Sequence, residues 1–194
     1  ERVDRIRAIS QILDNPHFAG LIRREAPLGR DEDILRAHTE EHLNTVRALA
    51  PESGFEFLDP DTVMSPGSLE AALRAVGAAT AAVDAVFRGE ADNAFCAMRP
   101  PGHHAEHNRA MGFCLFNQVA IAAKYAQTRY DAERVAVVDF DVHHGNGTQD
   151  IFWSDENLFY GSTHQMPLYP GSGEVHETGV GNIFNAPLRA GDGG

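Results

Sequence analysis

Two pairs of adjacent histidines stand beside carboxylates in this sequence, a combination that suits metal-assisted proton transfer. One pair lies within RPPGHHAE as His103 and His104, and the other lies within DFDVHHGNG as His143 and His144. Carboxylate and imidazole groups bind Zn²⁺, and imidazole also exchanges protons near neutral pH. Asp141 and His143 would supply an oxygen and a nitrogen ligand to a zinc hydrolase, which also needs an open position for water.

The second pair follows an apolar run, residues 135–138, which predicts a strand buried on both faces. Alternation along such a strand would place Asp139, Asp141 and His143 on one side. Two carboxylates and an imidazole on one buried face cost free energy unless a positive charge lies between them. A divalent metal ion is the simplest such charge, so we expect one at the end of this strand.

The first pair, His103 and His104, follows another predicted strand, residues 94–98, and would transfer protons. A catalytic imidazole usually has a partner that fixes its tautomer, and Asp139 and Asn146 are candidates for this role. Either histidine pair alone could instead be a hydrogen-bonded pair in the core. Two pairs that both follow strands favour a shared active site.

The elements that must position these side chains alternate between helix and strand. Helices are predicted over residues 2–14, 65–89 and 117–130, with two short helices within residues 30–50. Strands are predicted over residues 94–98, 135–138, 158–162 and 183–187. This order predicts an α/β fold with a mostly parallel sheet flanked by helices, in which sites lie at the carboxyl ends of strands. The first helix is amphipathic and is expected to pack on the core.

The remaining histidines give weaker signals. His38 and His42 are four residues apart on a predicted helix, but the HExxH motif of a zinc protease is absent, so a structural role is favoured. We expect surface positions for the histidines of the predicted loops, which are His17, His107, His164 and His176.

Length and composition limit the classes of function. A chain of 194 residues predicts one domain, and a net charge of −12 argues against direct nucleic-acid binding and is compatible with a cationic substrate. Solubility alone would also explain this charge. Membrane binding is not expected, because the apolar runs fall short of the ~20 residues of a membrane helix. Cys96 and Cys114 lack a paired-ligand spacing and are expected to be buried, reduced thiols of a cytoplasmic protein.

Four segments together resemble the zinc-dependent histone deacetylase family, most closely its class II branch and the bacterial deacetylase-like amidohydrolases. They are RPPGHHAE at 99–106, GFCLFN at 112–117, DFDVHHGNGTQ at 139–149 and YPGSG at 169–173. The resemblance implies an arginase/deacetylase-type fold and a bacterial origin. It also implies that residues 1–194 are the N-terminal portion of a single deacetylase-like catalytic domain, cut at both ends.

The resemblance implies roles for the two histidine pairs and their partners. Asp141 and His143 match two zinc ligands; the third, an Asp, and the transition-state tyrosine belong to later segments of the family. His104 matches the main general base, and His103 matches a histidine that helps electrostatically and in proton delivery. Asp139 matches the carboxylate that orients His103, and an asparagine, Asn146, matches the class II partner of His104. This fragment alone is therefore expected to bind zinc weakly and to turn over little substrate.

Other positions match the substrate tunnel and the structural cations of the family. Phe113 and Tyr169 match its aromatic walls, and Gly112 matches the glycine whose carbonyl faces the substrate. Asp61, with Asp59 as the alternative, matches the rim aspartate that holds the substrate backbone. A structural potassium ion would be held by Asp139, Asp141, His143, Ser162 and Thr163. A second, weaker monovalent site would lie near Phe152, Asp155 and Leu158.

The function implied by the resemblance is zinc-dependent hydrolysis of linear amides, with removal of acetyl or related acyl groups from lysine side chains or acetylated polyamines. One alternative is a ureohydrolase of the arginase type with two manganese ions, but its Asp-x-His-x-Asp run ends here in Gly145. Another alternative is a catalytically inactive deacetylase-like binding protein. Oligomeric state stays open, with a homo-oligomer as one alternative.

Overall fold

A parallel sheet of three strands carries the segment with the second histidine pair, in a computed structural model that describes residues 2–192. The strands are β1 (Glu56–Phe57), β2 (Val63–Met64), β3 (Val135–Asp139), β4 (Leu158–Gln165) and β5 (Ile183–Leu188). The α-helices are α1 (Val3–Leu13), α2 (Asp31–Ile34), α3 (Glu40–Ala48), α4 (Ser68–Phe87), α5 (Gln118–Tyr130) and α6 (Asn146–Phe152). A 3₁₀ turn spans Pro16–Phe18, and β1 and β2 form a small antiparallel pair.

The order of strands in the sheet is β3-β4-β5, and all three run parallel. Helix α6 lies in the connection between β3 and β4, as a parallel crossover requires. In this register Asp139, the last residue of β3, pairs with Ser162 of β4. The carboxyl end of β3 therefore meets polar residues of β4 at one edge of the sheet.

The core lies between one face of this sheet and helices α4, α5 and α6. Leu158 and Tyr160 of β4 are fully buried, as are Phe116 before α5 and Phe152 at the end of α6. Small side chains such as Ala75 let α4 and α5 approach closely. Each large side chain that folding removes from water contributes about 1.5–3 kcal/mol, so this cluster is a major source of stability.

The other face of the sheet is exposed in the part of the chain that the structure describes. Val138 is 69% exposed and Phe184 is 64% exposed, and the burial of β3 alternates along the strand. The prediction that residues 135–138 are buried on both faces is therefore wrong. A continuous apolar run signals two-sided burial only where a second layer is present, and residues 2–192 supply a layer on one face.

Several other predicted elements differ in the structure. Residues 94–98 are not a strand, because they find no ladder partner among residues 2–192. Helix α1 forms but buries none of its side chains, so the prediction that it packs on the core is wrong. Helix α4 begins at Ser68 rather than Ser65, and the Ser68 hydroxyl accepts a hydrogen bond from the Ser65 amide at 2.9 Å. Cys114 is buried as predicted, whereas Cys96 is exposed.

The remaining predictions of helices and strands agree with the structure. Two short helices, α2 and α3, lie within residues 30–50, and Thr39 caps α3 by accepting a hydrogen bond from the His42 amide. Helix α5 and strands β4 and β5 lie where the sequence predicts them. Within residues 2–192, the helices are too short or too polar to cross a membrane.

His38 and His42 belong to the core rather than to a metal site. Their rings lie 4.9 Å apart and both contact the ring of Phe116. His38 Nε2 accepts a hydrogen bond from the Asn117 amide at 2.8 Å, so its Nδ1 is the atom that donates to the Glu106 carbonyl at 2.9 Å. Burial, with the neighbouring His42, lowers the pKa of His38 to about 3. Both ring nitrogens of His38 are therefore hydrogen-bonded to backbone groups and are not available to a metal ion.

The lowered pKa of His38 predicts a specific dependence of stability on pH. The unfolded chain binds a proton at this position below about pH 6.5, whereas the folded chain does not until the pH nears its folded pKa, so stability falls as the pH drops. We expect His38→Gln to reduce the slope of unfolding free energy against pH by about 1.4 kcal/mol per pH unit near pH 5. Urea unfolding at a series of pH values measures this slope. His17→Gln, at an exposed position, is the matched control; equal slopes for His38→Gln and the parent protein would contradict the prediction.

Candidate active site

The end of β3 is shaped by hydrogen bonds between neighbouring residues. Asp139 Oδ1 accepts from the Asp141 amide at 3.1 Å, and Asp141 Oδ1 accepts from the His143 amide at 2.9 Å. The chain therefore bends after Asp139 instead of continuing as a strand. The prediction that one strand face carries all three side chains is wrong: Asp139 contacts His103, while Asp141 and His143 contact each other.

Asp141 and His143 present two donor atoms that fit one metal ion. Asp141 Oδ1 and His143 Nδ1 are 3.1 Å apart. Tetrahedral zinc at ~2.0–2.1 Å from each ligand separates two ligand atoms by about 3.3 Å. The side chains are 50% and 39% exposed, so further ligands can approach. Among the described residues no group of three or more metal-binding side chains is assembled, and this pair fits part of a zinc site.

His103 is held by the carboxylate of Asp139. The distance from His103 Nδ1 to Asp139 Oδ2 is 2.8 Å, and since a carboxylate accepts, Nδ1 carries the proton. The Tyr160 hydroxyl also donates to Oδ2 at 3.1 Å and accepts from the Gly145 amide. Burial alone would raise the pKa of Asp139, but hydrogen bonds from His103, the Asp141 amide and Tyr160 lower it below its ordinary value. Gly145 must be glycine, because a Cβ there would collide with Asp139 and Tyr160.

His104 has a neutral partner. Its Nδ1 lies 2.9 Å from Oδ1 of Asn146, the first residue of α6. The rings of His103 and His104 are 4.1 Å apart, and the His104 ring is 5.9 Å from that of His143. Burial, followed by the nearby His103, lowers the pKa of His104 to about 4. His104 is therefore neutral at pH 7. Its Nδ1 bonds to Asn146, and its Nε2 takes no part in that bond.

The amino end of α6 anchors the segment that carries the first histidine pair. The amides of Gly147 and Thr148 donate to the His103 carbonyl at 2.9 Å and 3.1 Å. Asn117, which caps α5, donates from Nδ2 to the Ala105 carbonyl at 3.3 Å and to the Thr148 hydroxyl. Helices α5 and α6 and the end of β3 thus hold His103 and His104 in place. This arrangement brings the two histidines to Asp139 and Asn146, which lie about 40 positions later in the chain.

A tight turn brings the predicted aromatic wall to the site. Gly112 and Phe113 have φ angles of 58° and 67°, and the Cys114 amide closes the turn on the Met111 carbonyl. A Cβ on Gly112 would collide with the His104 ring, so only glycine allows this approach. Phe113 is exposed and adopts a left-handed conformation that is uncommon and strained for an aromatic residue.

Tyr169 approaches the same histidines from another loop. Its ring centroid lies 5.0 Å from that of His104 and 6.2 Å from that of His143. Burial, followed by the charges of Asp61 and Asp59, raises the pKa of Tyr169 to about 12, so its hydroxyl stays protonated. The structure therefore places Tyr169 beside both the predicted base and the predicted zinc ligand.

Asp61, rather than Asp59, contacts the turn at the site. Asp61 Oδ1 accepts from the Gly112 amide at 3.2 Å and from the Thr62 hydroxyl at 3.0 Å, and Thr62 in turn accepts from the Phe113 amide. Asp59 Oδ1 accepts from the amides of Asp61 and Thr62. Asp59 thus shapes its own loop, whereas Asp61 stands next to the candidate tunnel.

The residues predicted for monovalent cations fall into two groups. Asp139 and Ser162 are paired across β3 and β4, so these two members of the first group are neighbours. In the second group, the carbonyls of Phe152, Asp155 and Leu158 converge on one atom, Asn182 Nδ2, at 2.9 Å, 3.0 Å and 2.7 Å. An amide has two hydrogens for these three acceptors. A second cation would therefore compete with the side chain of Asn182.

A buried polar network that was not predicted from the sequence lies behind the site. His164 is 1% exposed, so the expected surface position is wrong; its Nδ1 and the Ser162 hydroxyl are 2.9 Å apart, and its Nε2 donates to the Gly173 carbonyl at 3.0 Å. Period-2 alternation could have found it, because His164 shares a face of β4 with the buried Leu158 and Tyr160.

The same network holds the loop that carries Tyr169. His144 bonds to the Ser172 hydroxyl at 2.9 Å and to Gln149 Oε1 at 3.1 Å. The Glu177 carboxylate accepts from Gln149 Nε2 at 2.6 Å and from the Gly173 amide. Burial would raise the pKa of Glu177, but these bonds lower it. The contact between Gln149 and Glu177 could not be predicted from local sequence, because the two residues are 28 positions apart.

The chain is similar in sequence to proteins of one family. A sequence model of the histone deacetylase domain matches residues 1–194. The histone deacetylase-like amidohydrolase of Pseudomonas aeruginosa is 42% identical over 193 residues, which are 96% of this chain and 50% of that protein. A probable deacetylase of Archaeoglobus fulgidus is 43% identical over 166 residues, which are 84% of this chain and 45% of that protein.

A solved structure agrees with these matches. The HDA15 HD domain has a TM-score of 0.91 and 36% sequence identity to this chain, and the match covers 96% of this chain and 55% of the other. The chain spans about half the length of the curated relatives that it matches. The predicted α/β fold of the arginase/deacetylase type is confirmed, and the chain belongs to the histone deacetylase family.

Proposed function

We propose that the protein is a zinc-dependent deacetylase that removes acetyl or related acyl groups from lysine side chains or acetylated polyamines. Membership of the histone deacetylase family supports the activity of a deacetylase or amide hydrolase. The observation that carries the proposed zinc-dependent mechanism is the convergence of two metal-ligand atoms, 3.1 Å apart, with two imidazoles that each have their own Nδ1 acceptor. This arrangement suits metal-assisted hydrolysis, which combines a metal ion with groups that transfer protons.

The proposed domain is larger than this chain. Residues 1–194 would form the N-terminal portion of one catalytic domain, because the matches cover about half of each relative. Asp141 and His143 would hold zinc together with a third ligand from the rest of the domain. When bound, the metal would polarise the substrate carbonyl and acidify the attacking water.

In the proposed mechanism, His104 is the general base. It is neutral at pH 7, and its Nδ1 hydrogen is committed to Asn146, so Nε2 can accept a proton from water. Water attacks the carbonyl carbon, and the C–N bond then breaks as the leaving amine takes a proton. His103 is suited to deliver that proton, because the ionised Asp139 at its Nδ1 stabilises a positive charge on the ring.

The proposed substrate enters between Phe113 and Tyr169. Both rings are partly exposed, and Tyr169 lies against His104, so a thin aliphatic stem between two aromatic walls would direct an acyl group to the histidines. The Gly112 carbonyl would face the stem, and Asp61 would hold the substrate backbone. The net charge of −12 favours cationic peptides or polyamines over nucleic acid. A cytoplasmic location without membrane binding remains part of the proposal.

The ureohydrolase alternative conflicts with the local geometry. Two manganese ions need a carboxylate at position 145, where a side chain would collide with Asp139 and Tyr160. The alternative of an inactive deacetylase-like binding protein is an outcome of the first experiment below.

We further propose that Asp139, Asp141, His143, Ser162 and Thr163 hold a structural potassium ion. The pairing of Asp139 with Ser162 supports this, because it makes two of these residues neighbours where β3 ends. The second monovalent site, at Phe152, Asp155 and Leu158, would require Asn182 to move.

The zinc-dependent activity is tested with the full-length protein and an acetyl-lysine peptide. We expect deacetylation to stop on chelation and to return with added zinc, because zinc is proposed to activate the attacking water. Asp141→Asn should lower the activity by about 100-fold or more and weaken zinc binding, since one ligand is lost. Zinc content is measured alongside turnover.

Asp92→Asn, in an exposed loop, is the matched control and should keep full activity. Turnover that survives chelation would contradict zinc dependence. Stoichiometric zinc without turnover of lysine or polyamine substrates would favour the inactive binding protein.

Asn182 gives a separate test of the second cation site. Asn182→Ala removes the donor of three carbonyls, and we expect a loss of about 1–3 kcal/mol of unfolding free energy in a buffer whose only cation is choline. If the carbonyls can hold potassium, its addition should restore part of this loss beyond any gain in the parent protein. Urea unfolding measures both quantities, with Asn157→Ala at an exposed position as the control. An equal response to potassium in variant and parent would argue against this site.

A further inference from the structure

We propose that Glu106 is a positioning residue that fixes the amide orientation of Asn146 and, through it, the tautomer of His104. The inference rests on the proposed function only for its kinetic consequences. Glu106 Oε1 lies 2.8 Å from Asn146 Nδ2, while Asn146 Oδ1 lies 2.9 Å from His104 Nδ1. The three side chains form a row from carboxylate to amide to imidazole.

The row matters because an asparagine is an ambiguous partner for a histidine. If Oδ1 faces the ring, Nδ1 must carry the proton and Nε2 keeps its lone pair. If the amide rotates by half a turn, its NH₂ group faces the ring, Nδ1 becomes the acceptor and the proton moves to Nε2. His104 could then no longer accept a proton at Nε2. A carboxylate partner would not have this ambiguity, because it only accepts.

Glu106 removes the ambiguity of Asn146. A carboxylate accepts hydrogen bonds and repels a carbonyl oxygen, so the NH₂ group must face Glu106 and Oδ1 must face His104. The other neighbours of Nδ2 are weaker acceptors at greater distance, the His104 carbonyl at 3.4 Å and the Met111 sulfur at 3.3 Å. Both Asn146 and His104 are buried, so water cannot readily replace the missing partner.

The position of Glu106 is itself fixed by the core. Its amide donates to the Arg109 carbonyl at 2.9 Å, which closes a turn, and its carbonyl accepts from His38 Nδ1 at 2.9 Å. His38 is buried and also bonds to the Asn117 amide. A histidine with no catalytic role therefore holds the backbone of the residue that orients the amide.

The direct test is the tautomer of His104 in metal-free, full-length protein with ¹⁵N-labelled histidine. Long-range ¹H–¹⁵N correlation spectra distinguish a proton on Nδ1 from one on Nε2, and His104→Gln assigns the signal. We expect the Nδ1–H form in the parent protein. Glu106→Met, which keeps the length of the side chain but loses the acceptor, should show a mixture or the Nε2–H form.

Kinetics give a second, independent measurement. Glu106→Met should lower kcat by about 10-fold or more with KM nearly unchanged, because it removes part of the general base rather than a substrate contact. In an Asn146→Asp background the same change should not lower kcat, since a carboxylate at position 146 has no wrong orientation and loses a like-charged neighbour when Glu106 is replaced. Asn108→Ala, an exposed change in the same turn, should leave kcat and KM as in the parent protein.

The possible results separate this inference from the proposed function. The Nδ1–H form in Glu106→Met, or an equal loss of kcat in both backgrounds, would overturn the role of Glu106. If Glu106→Met does not fold, Glu106→Ala takes its place in both measurements. If no acyl substrate is turned over, the proposed function fails, and the spectra still decide the orientation of Asn146.

Discussion

The buried carboxylate of Asp139 is the interaction on which the rest of the site depends. A buried charge is costly unless its oxygens are hydrogen-bonded, and Asp139 receives bonds from the His103 ring, the Asp141 amide and the Tyr160 hydroxyl. These bonds end β3, orient His103 and, through Tyr160 and Gly145, set the start of α6. Helix α6 begins with Asn146, which is the partner of His104, and Asp139 is the partner of His103. Both partners therefore lie at or just after the carboxyl end of β3.

The two imidazoles lie 4.1 Å apart but have different electrostatic partners. His103 donates a hydrogen bond from Nδ1 to a carboxylate, whereas His104 faces an amide and is kept neutral by burial and by its neighbour. Two similar groups with different environments can take different roles in one reaction. In the proposed mechanism this difference divides the accepting and delivering of protons between them, and the orientation of the Asn146 amide becomes as important as the charge of Asp139.

The sequence allowed better predictions of which residues come together at the candidate site than of the burial and pairing of the strands. Long motifs predicted His103, His104, Asp141 and His143 as site residues, and the structure brings these side chains close together. The predictions of two-sided burial for residues 135–138 and of a strand at 94–98 were wrong, because both features depend on layers and partners that are remote along the chain. Glu106 and Asn182 were missed for the same reason: their partners lie 40 and 24–30 residues away.

The exposed features of the sheet lie next to the open side of the metal-ligand pair. Strand β3 is at an edge of the sheet that residues 2–192 form, and its uncovered face carries Val138, followed by the exposed Phe140 and Val142. A further strand that paired in parallel with this edge would end beside Asp141 and His143, because the carboxyl ends of parallel strands align. In the proposed zinc site, polypeptide that paired with this edge of β3 would therefore be well placed to contribute a further ligand. The uncovered face of β3, with the exposed Val138, belongs to the same strand, so a layer over this face would also lie close to the metal-ligand pair.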